Sequence, residues 1–127
     1  DPRFAAAAIG EGGAPAIGTT VILAGYGAAR EGDWPSGGVL RSVRLAVREP
    51  ASRVLIWAAD PTGKAAGACS GDSGAPVWSP DGSTAIAIVA WAQGPHGRGC
   101  GGLTQGPLLA PLKGWIEKTK RALELGE

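Results

Sequence analysis

A chain of 127 residues has room for one domain with a modest core, and length argues against two. Lys and Arg number 12 against 11 for Asp and Glu, a near-neutral balance that removes the electrostatic footprint of a nucleic-acid binder. No apolar run reaches the ~18 residues of a membrane span, and the opening DPRFAAAAIG lacks a signal peptide's basic-then-apolar pattern and reads as the middle of something longer. Gly at 22 and Pro at 10 without a repeat could mean disorder, but 44% hydrophobic residues and 5 Trp need a dry interior. The composition therefore points to a turn-rich, all-β globular domain.

Residues 1–18, rich in Ala, Gly and Pro, have no period and read as a segment lying on a surface. Thr19–Ala24 (TTVILA) is a β-branched strand running into Gly25-Tyr26-Gly27, and AAREGDWPSGG (28–38) is loop chemistry. In VLRSVRLAVRE (39–49), Val43, Leu45 and Val47 alternate with Arg44 and Arg48, the mark of a half-solvated antiparallel strand. RVLIWAA (53–59) is a further strand. DPTGKAAGACSGDSGAP (60–76) is a long glycine-rich loop, the place where function is expected to sit. Val77-Trp78 form a short strand, SPDGS a hairpin turn, and TAIAIVAWA (84–92) a strand buried on both faces. QGPHGRGCGG is a second glycine loop, and LTQGPLL a last strand. From Pro111 the period turns helical through Leu112, Trp115, Ile116, Thr119 and Leu123, with Glu117 placed to pair with Arg121 and Gly126 to end the helix. Six strands and one terminal helix is the expected count, divided as a leading segment (1–18), a barrel (19–110) and a helix (111–127).

The chemistry-bearing stretch is CSGDSG, residues 69–74. A serine hydroxyl is a poor nucleophile until a base takes its proton and something stabilises the oxyanion it creates. Gly71 lets the backbone turn so that its own N–H and that of Ser73 can face one concavity. Gly74 leaves room where a substrate carbonyl must approach. Asp72, trapped between glycines, is a carboxylate that burial would oblige to find a cation. Against this stands an ordinary tight turn, since Gly, Asp and Ser are common turn residues. The G-x-S-x-G elbow of α/β-hydrolases is ruled out by Ala75 and by the missing βαβ context. Cys69 and Cys100 read either as lone thiols or as a pair. Two are too few for a zinc cage, and their placement, just before the serine motif and inside the second glycine loop, favours a pair in an oxidising compartment.

Cys69 to Pro76 (CSGDSGAP) closely resembles the active-serine segment of the trypsin-like (chymotrypsin-fold) serine proteases. Gly25-Tyr26-Gly27 before it, Ala90-Trp91-Ala92 after it, Cys100 in the following loop and Trp115-Ile116 in a terminal helix fall in that family's order. The resemblance, over residues 19 to about 123, implies the second, six-stranded antiparallel Greek-key barrel of that fold with its C-terminal α-helix. It makes Ser73 the nucleophile, Gly71 and Ser73 the oxyanion-hole donors, and Asp72 the activation carboxylate, held in the family by a newly cut N-terminus. It matches Cys69 and Cys100 to a family disulfide. No metal or other cofactor is implied. The triad His and Asp belong to the first barrel, so the chain alone is expected to be inactive and its partner to be that N-terminal half. A peptide or protein is the expected substrate, with neither nucleic acid nor membrane as partner, and self-association of the isolated half is expected. His96, the one histidine, reads as an idle loop residue, and Asp1 is a poor triad candidate because Pro2 follows it and it lies too near Gly25.

The same resemblance places Gly67 at the base of the specificity pocket, beside Ala68 and Ser70, with Ala90, Trp91, Ala92 and Gly101 or Gly102 as walls. No carboxylate stands at that base, so cleavage after small to medium apolar residues is expected, with the peptide pairing along residues 90–92. Ala90 replaces a usual serine and Ala92 a usual glycine. With other family disulfides missing, a bacterial secreted or periplasmic protease is expected. The competing expectation is a pseudoprotease or protein-binding barrel that keeps the groove without the chemistry.

Overall fold

The structure, a computed structural model, describes residues 3–126; Asp1 lies outside them. Among the described residues, eight strands precede one helix: β1 (Ala8–Ile9), β2 (Thr20–Gly25), β3 (Arg41–Val47), β4 (Leu55–Ala59), β5 (Pro76–Trp78), β6 (Thr84–Ile88), β7 (Trp91–Gln93), β8 (Leu103–Pro107) and α1 (Lys113–Leu125). They form one sheet in the order β1-β6-β5-β2-β3-β4-β8-β7. Every ladder is antiparallel except β1–β6, which is parallel.

Three of the expectations are corrected here. The sheet is an open, mixed, eight-stranded one, not a closed six-stranded antiparallel barrel, and among the described residues a single bridge, Ala87 to Leu108, joins β6 to the chain beyond β8. The apolar run 84–92 is two strands. At Val89 and Ala90 the chain leaves one neighbour for another: Val89 N–H donates to Ala75 O at 2.9 Å, and Ala90 N–H to Gln105 O at 2.9 Å. No Gly or Pro marks the corner, so the run reads as continuous. Nor is β6 buried on both faces. Ala85 and Ala87 are buried, while Thr84, Ile86 and Ile88 are half-buried.

Period-2 alternation aims Val21 and Leu23 of β2, Leu45 and Val47 of β3, and Ile56 and Ala58 of β4 into one core. Gly106 lets β8 close on the end of β6, because a Cβ there would stand 1.8 Å from Ile88 O. Helix α1 begins after a 3-10 turn at Ala110–Leu112 that holds Pro111. It ends at Gly126, which takes φ 73 and donates its N–H to the carbonyls of Ala122 and Leu123. The Glu117–Arg121 ion pair does not form. Arg121 Nε instead reaches the Glu117 main-chain carbonyl at 3.3 Å, and Lys120 pairs with Glu124 at 4.0 Å. No residue of α1 is buried, and Trp115 and Leu123 stand exposed. Lys113 at its start bonds Glu11 of the leading segment.

The SPDGS turn joins β5 to β6 around Asp81, whose Oδ1 accepts from Ser79 Oγ at 2.6 Å, Ser83 N at 3.0 Å and Ser83 Oγ at 2.8 Å. The Ser79 hydroxyl first, then the Ser83 amide and hydroxyl, hold this carboxyl down to about 2 from its ordinary 3.8. A depressed carboxylate contributes its stabilisation above the unfolded value and loses it as pH falls through the folded one. NMR titration should therefore show Asp81 protonating near pH 2, with the amide of Ser83 shifting in step, and Ser79→Ala should move that midpoint upward.

Candidate active site

Two consecutive turns shape the serine segment. The first closes with Asp72 N–H on Cys69 O at 3.0 Å, the second with Ala75 N–H on Asp72 O at 2.9 Å. Their third positions are Gly71 (φ 93) and Gly74 (φ 85), a left-handed conformation that glycine alone adopts without strain, as type II turns demand. Ser73 is thus lifted onto an exposed corner between two glycines. Among the described residues neither the N–H of Gly71 nor that of Ser73 donates to a protein acceptor, and the Ser73 hydroxyl is likewise unengaged.

Asp72, only 8% exposed, anchors both turns. Its Oδ1 accepts from Gly27 N–H at 2.8 Å and its Oδ2 from Cys69 N–H at 2.9 Å. Among the described residues Asp72 forms no ion pair, and two charge-assisted bonds from main-chain amides hold it. The fit is close, since a Cβ on Gly25 would stand 2.2 Å from Asp72 Oδ1 and one on Gly27 2.5 Å from its Cγ. Gly25 and Gly27 carried order alone in the sequence, and their structural use is to admit this carboxylate. A G-x-G beside a strand end was the only signal.

The disulfide forms between Cys69 and Cys100, 31 residues apart. It draws the two glycine loops together, and the small residues of both meet behind the serine. A Cβ on Gly67 would lie 3.3 Å from Thr104 Oγ1 and 3.5 Å from Gly102 O, one on Gly101 2.1 Å from Ala65 O, and one on Gly102 2.4 Å from Gln93 O. Ala68 is buried in the core, its N–H donating to Thr104 Oγ1 at 3.0 Å. Thr104 went unremarked in the sequence because a lone Thr in a strand carries no pattern. Ser70 turns its carbonyl to Ala28 N–H at 2.8 Å. Ala90 and Trp91 are exposed, Ala92 is half-buried, and β7 lies at the free edge of the sheet. His96 sits in the second glycine loop at φ 56, exposed and without a hydrogen bond.

The start of the first glycine loop is set by Asp60. It accepts from the Thr62 amide and hydroxyl at 2.8 and 2.7 Å, and from the amides of Lys64 and Ala66 at 3.1 and 3.2 Å. The Thr62 hydroxyl, ahead of these amides, holds its carboxyl below the usual range. A groove of about 690 Å³ is lined by Asp72, Gly27 and both cysteines of the disulfide together with Arg41 and Arg98. Among the described residues no helix is long and apolar enough to cross a membrane, and no cluster of three His, Cys, Asp or Glu could hold a metal.

The family model described as Trypsin matches residues 4–110. No curated protein matches the chain. Among solved structures it is similar to a doubly substituted variant of human heparin binding protein, at TM-score 0.67 and 24% identity, over 91% of this chain and 49% of that one. It is also similar to neuropsin, a serine protease expressed in the limbic system of mouse brain, at TM-score 0.70 and 20% identity, over 90% of this chain and 53% of that one. The chain thus spans about half the length of these structures.

Gly27→Ala should push the carboxylate out of its seat, and Asp72→Asn should leave one buried donor unpaired at a cost of about 1–3 kcal/mol. Denaturant titration should register both losses, while Gly12→Ala, where a Cβ would meet nothing within 4 Å, should cost less.

Proposed function

Because the chain belongs to the trypsin family, we propose that Ser73 is the nucleophile of a serine endopeptidase whose histidine base lies outside these 127 residues. One observation carries this reading: two main-chain N–H groups, of Gly71 and Ser73, are left unpaired on either side of a carboxylate that is itself fully bonded. Ser73 Oγ attacks the scissile carbonyl carbon and passes its proton to the external imidazole. The carbonyl oxygen, now negative, takes hydrogen bonds from Gly71 and Ser73 N–H, each worth about 3–4 kcal/mol to such a transition state. The C–N bond then breaks as the imidazole returns the proton to the leaving amine. Water, deprotonated by the same base, hydrolyses the acyl-enzyme and restores Ser73.

On this reading Gly67, Ser70, Ala90, Trp91, Ala92 and Gly102 meet the substrate, Ala68 supports Gly67 from within, and Asp72 is the activation carboxylate. The groove beside Asp72 then receives the free N-terminus of an activated chain. The atoms nearest to a Cβ on Gly67 belong to Thr104 and the backbone of Gly101 and Gly102, none of them a carboxylate; this favours small to medium apolar residues at the cleavage point. The free edge of β7 supports strand addition of the peptide along residues 90–92.

The partner is the N-terminal half of the same fold, bringing histidine and aspartate. Two features support it: the chain spans about half of each similar structure, and α1 turns Trp115 and Leu123 to solvent without a buried residue. The disulfide favours a secreted or periplasmic setting. Ala90, where the family usually has a serine, favours a second reading, a pseudoprotease that binds peptides without cutting them.

Fluorophosphonate labelling separates the two. The full-length protein should be labelled at Ser73, Ser73→Ala should abolish the label, and the 127-residue chain alone should take up little. A folded full-length protein that resists the reagent would sink the catalytic reading and leave the binding one.

A further inference from the structure

We infer that a cavity between the leading segment and the β3–β4 turn binds a small amphipathic anion, an apolar body that carries one carboxylate or phosphate. The site is separate from the serine corner. Its lining shares no residue with positions 69–74 or with the groove beside Asp72. Its volume is about 680 Å³, within the range of pockets that enclose small molecules.

The chain makes this space by tying the leading segment at two places. On one side β1 lies along β6, and Glu11 bonds Lys113 of α1. On the other, Gly18 N–H donates to Val47 O at 2.8 Å, and Val47 N–H to Thr19 O at 2.9 Å. Residues 13–17, Gly-Ala-Pro-Ala-Ile, line the cavity between these ties and bring one large side chain to it. A Cβ on Gly13 would meet nothing within 4 Å. The facing turn is pinned by its own bonds. Arg48 N–H donates to Trp57 O at 2.8 Å, and Ser52 Oγ accepts from the amides of Val54 and Leu55 at 3.2 and 3.1 Å. Small residues on one wall and a fixed turn on the other leave room that the protein's own side chains do not fill.

The lining decides the chemistry of the occupant. Its body is apolar: Val47 and Ile56 are buried, Leu55 and Trp57 half-buried, and Ile17 exposed. Its charge has one sign. Arg48 and Arg53 line the cavity, and among the described residues neither guanidinium group has a hydrogen bond, ion pair or ring contact. No Asp or Glu lines it, and Glu49, between Arg48 and Pro50 in the chain, pairs with neither arginine. With the Ser52 oxygen engaged, the free polar side-chain groups are the two guanidinium groups and the Trp57 indole N–H, all donors. Apolar walls with donors alone suit a molecule whose single polar end accepts. Two uncompensated cations make that end an anion, and carboxylate and phosphate both match the guanidinium fork.

The test is calorimetric titration of the full-length protein with octanoate, octyl phosphate, octanol and acetate. At least one of the two amphipathic anions should bind about 10-fold or more tighter than octanol, which lacks the charge, and than acetate, which lacks the body. The tighter of the two head groups tells a carboxylic acid from a phosphate ester, and either outcome supports the inference. Arg48 and Arg53 are exposed and their side chains hold nothing in place, so Arg48→Gln combined with Arg53→Gln leaves the fold intact. That variant should bind the preferred anion about 10-fold or more weakly. Ile17→Asp, which sets a negative charge in the wall, should weaken it to a similar degree. Octanol binding as tightly as both anions would overturn the inference, as would full affinity in the double arginine variant or no binding of either anion.

Discussion

The Asp72 carboxylate sits between the amides of Gly27 and Cys69, and the serine segment takes its shape from that grip. A buried anion without a cation survives only where fixed dipoles replace its hydration. Here one dipole comes from the strand-end glycines and the other from the loop that starts at the disulfide. The contact therefore joins residues 45 positions apart, so the serine corner is a tertiary construction and not a local turn. The absence of side chains at Gly25 and Gly27 is what allows the approach, and the left-handed Gly71 and Gly74 carry the chain around it.

The sheet supplies the rigidity that this construction needs. β2 delivers the glycine pair, β5 and β6 follow the serine, and β8 backs the small residues behind it. Turn chemistry at Asp60 and Asp81 sets the connecting loops through carboxylates that accept several bonds each. Polar side chains thus do the shaping while the aliphatic alternation of β2, β3 and β4 provides the core.

Much of this was legible in the amino-acid order because it has local causes. Alternation of Val43, Leu45 and Val47 with Arg44 marks β3, Gly126 marks the helix end, and the glycines of CSGDSG mark the tight turns around Ser73. What escaped has tertiary causes. β1 exists only because Ala8 and Ile9 lie along β6, a pairing two residues cannot announce. The corner at Val89–Ala90 reflects a change of neighbour, for which a continuous apolar run has no signal. The amides that hold Asp72 also escaped, since every residue except proline carries such a donor and a sequence cannot single one out. The Glu117–Arg121 spacing was sound, yet a main-chain carbonyl outcompeted the carboxylate. Exposed pairs of that kind are worth only tenths of a kcal/mol.

Arg41 gathers three carbonyls of the 27–39 loop into a single knot at its base. Beyond that knot the tip around Glu31 and Gly32 is solvated. Lengthening such a tip costs only about 0.6 kcal/mol for each doubling of its span. Natural variation can therefore rewrite the tip, residue by residue or by insertion, while the geometry inherited at the base stays put. A scaffold wired in this manner can change its rim cheaply and keep the corner around Ser73 unchanged.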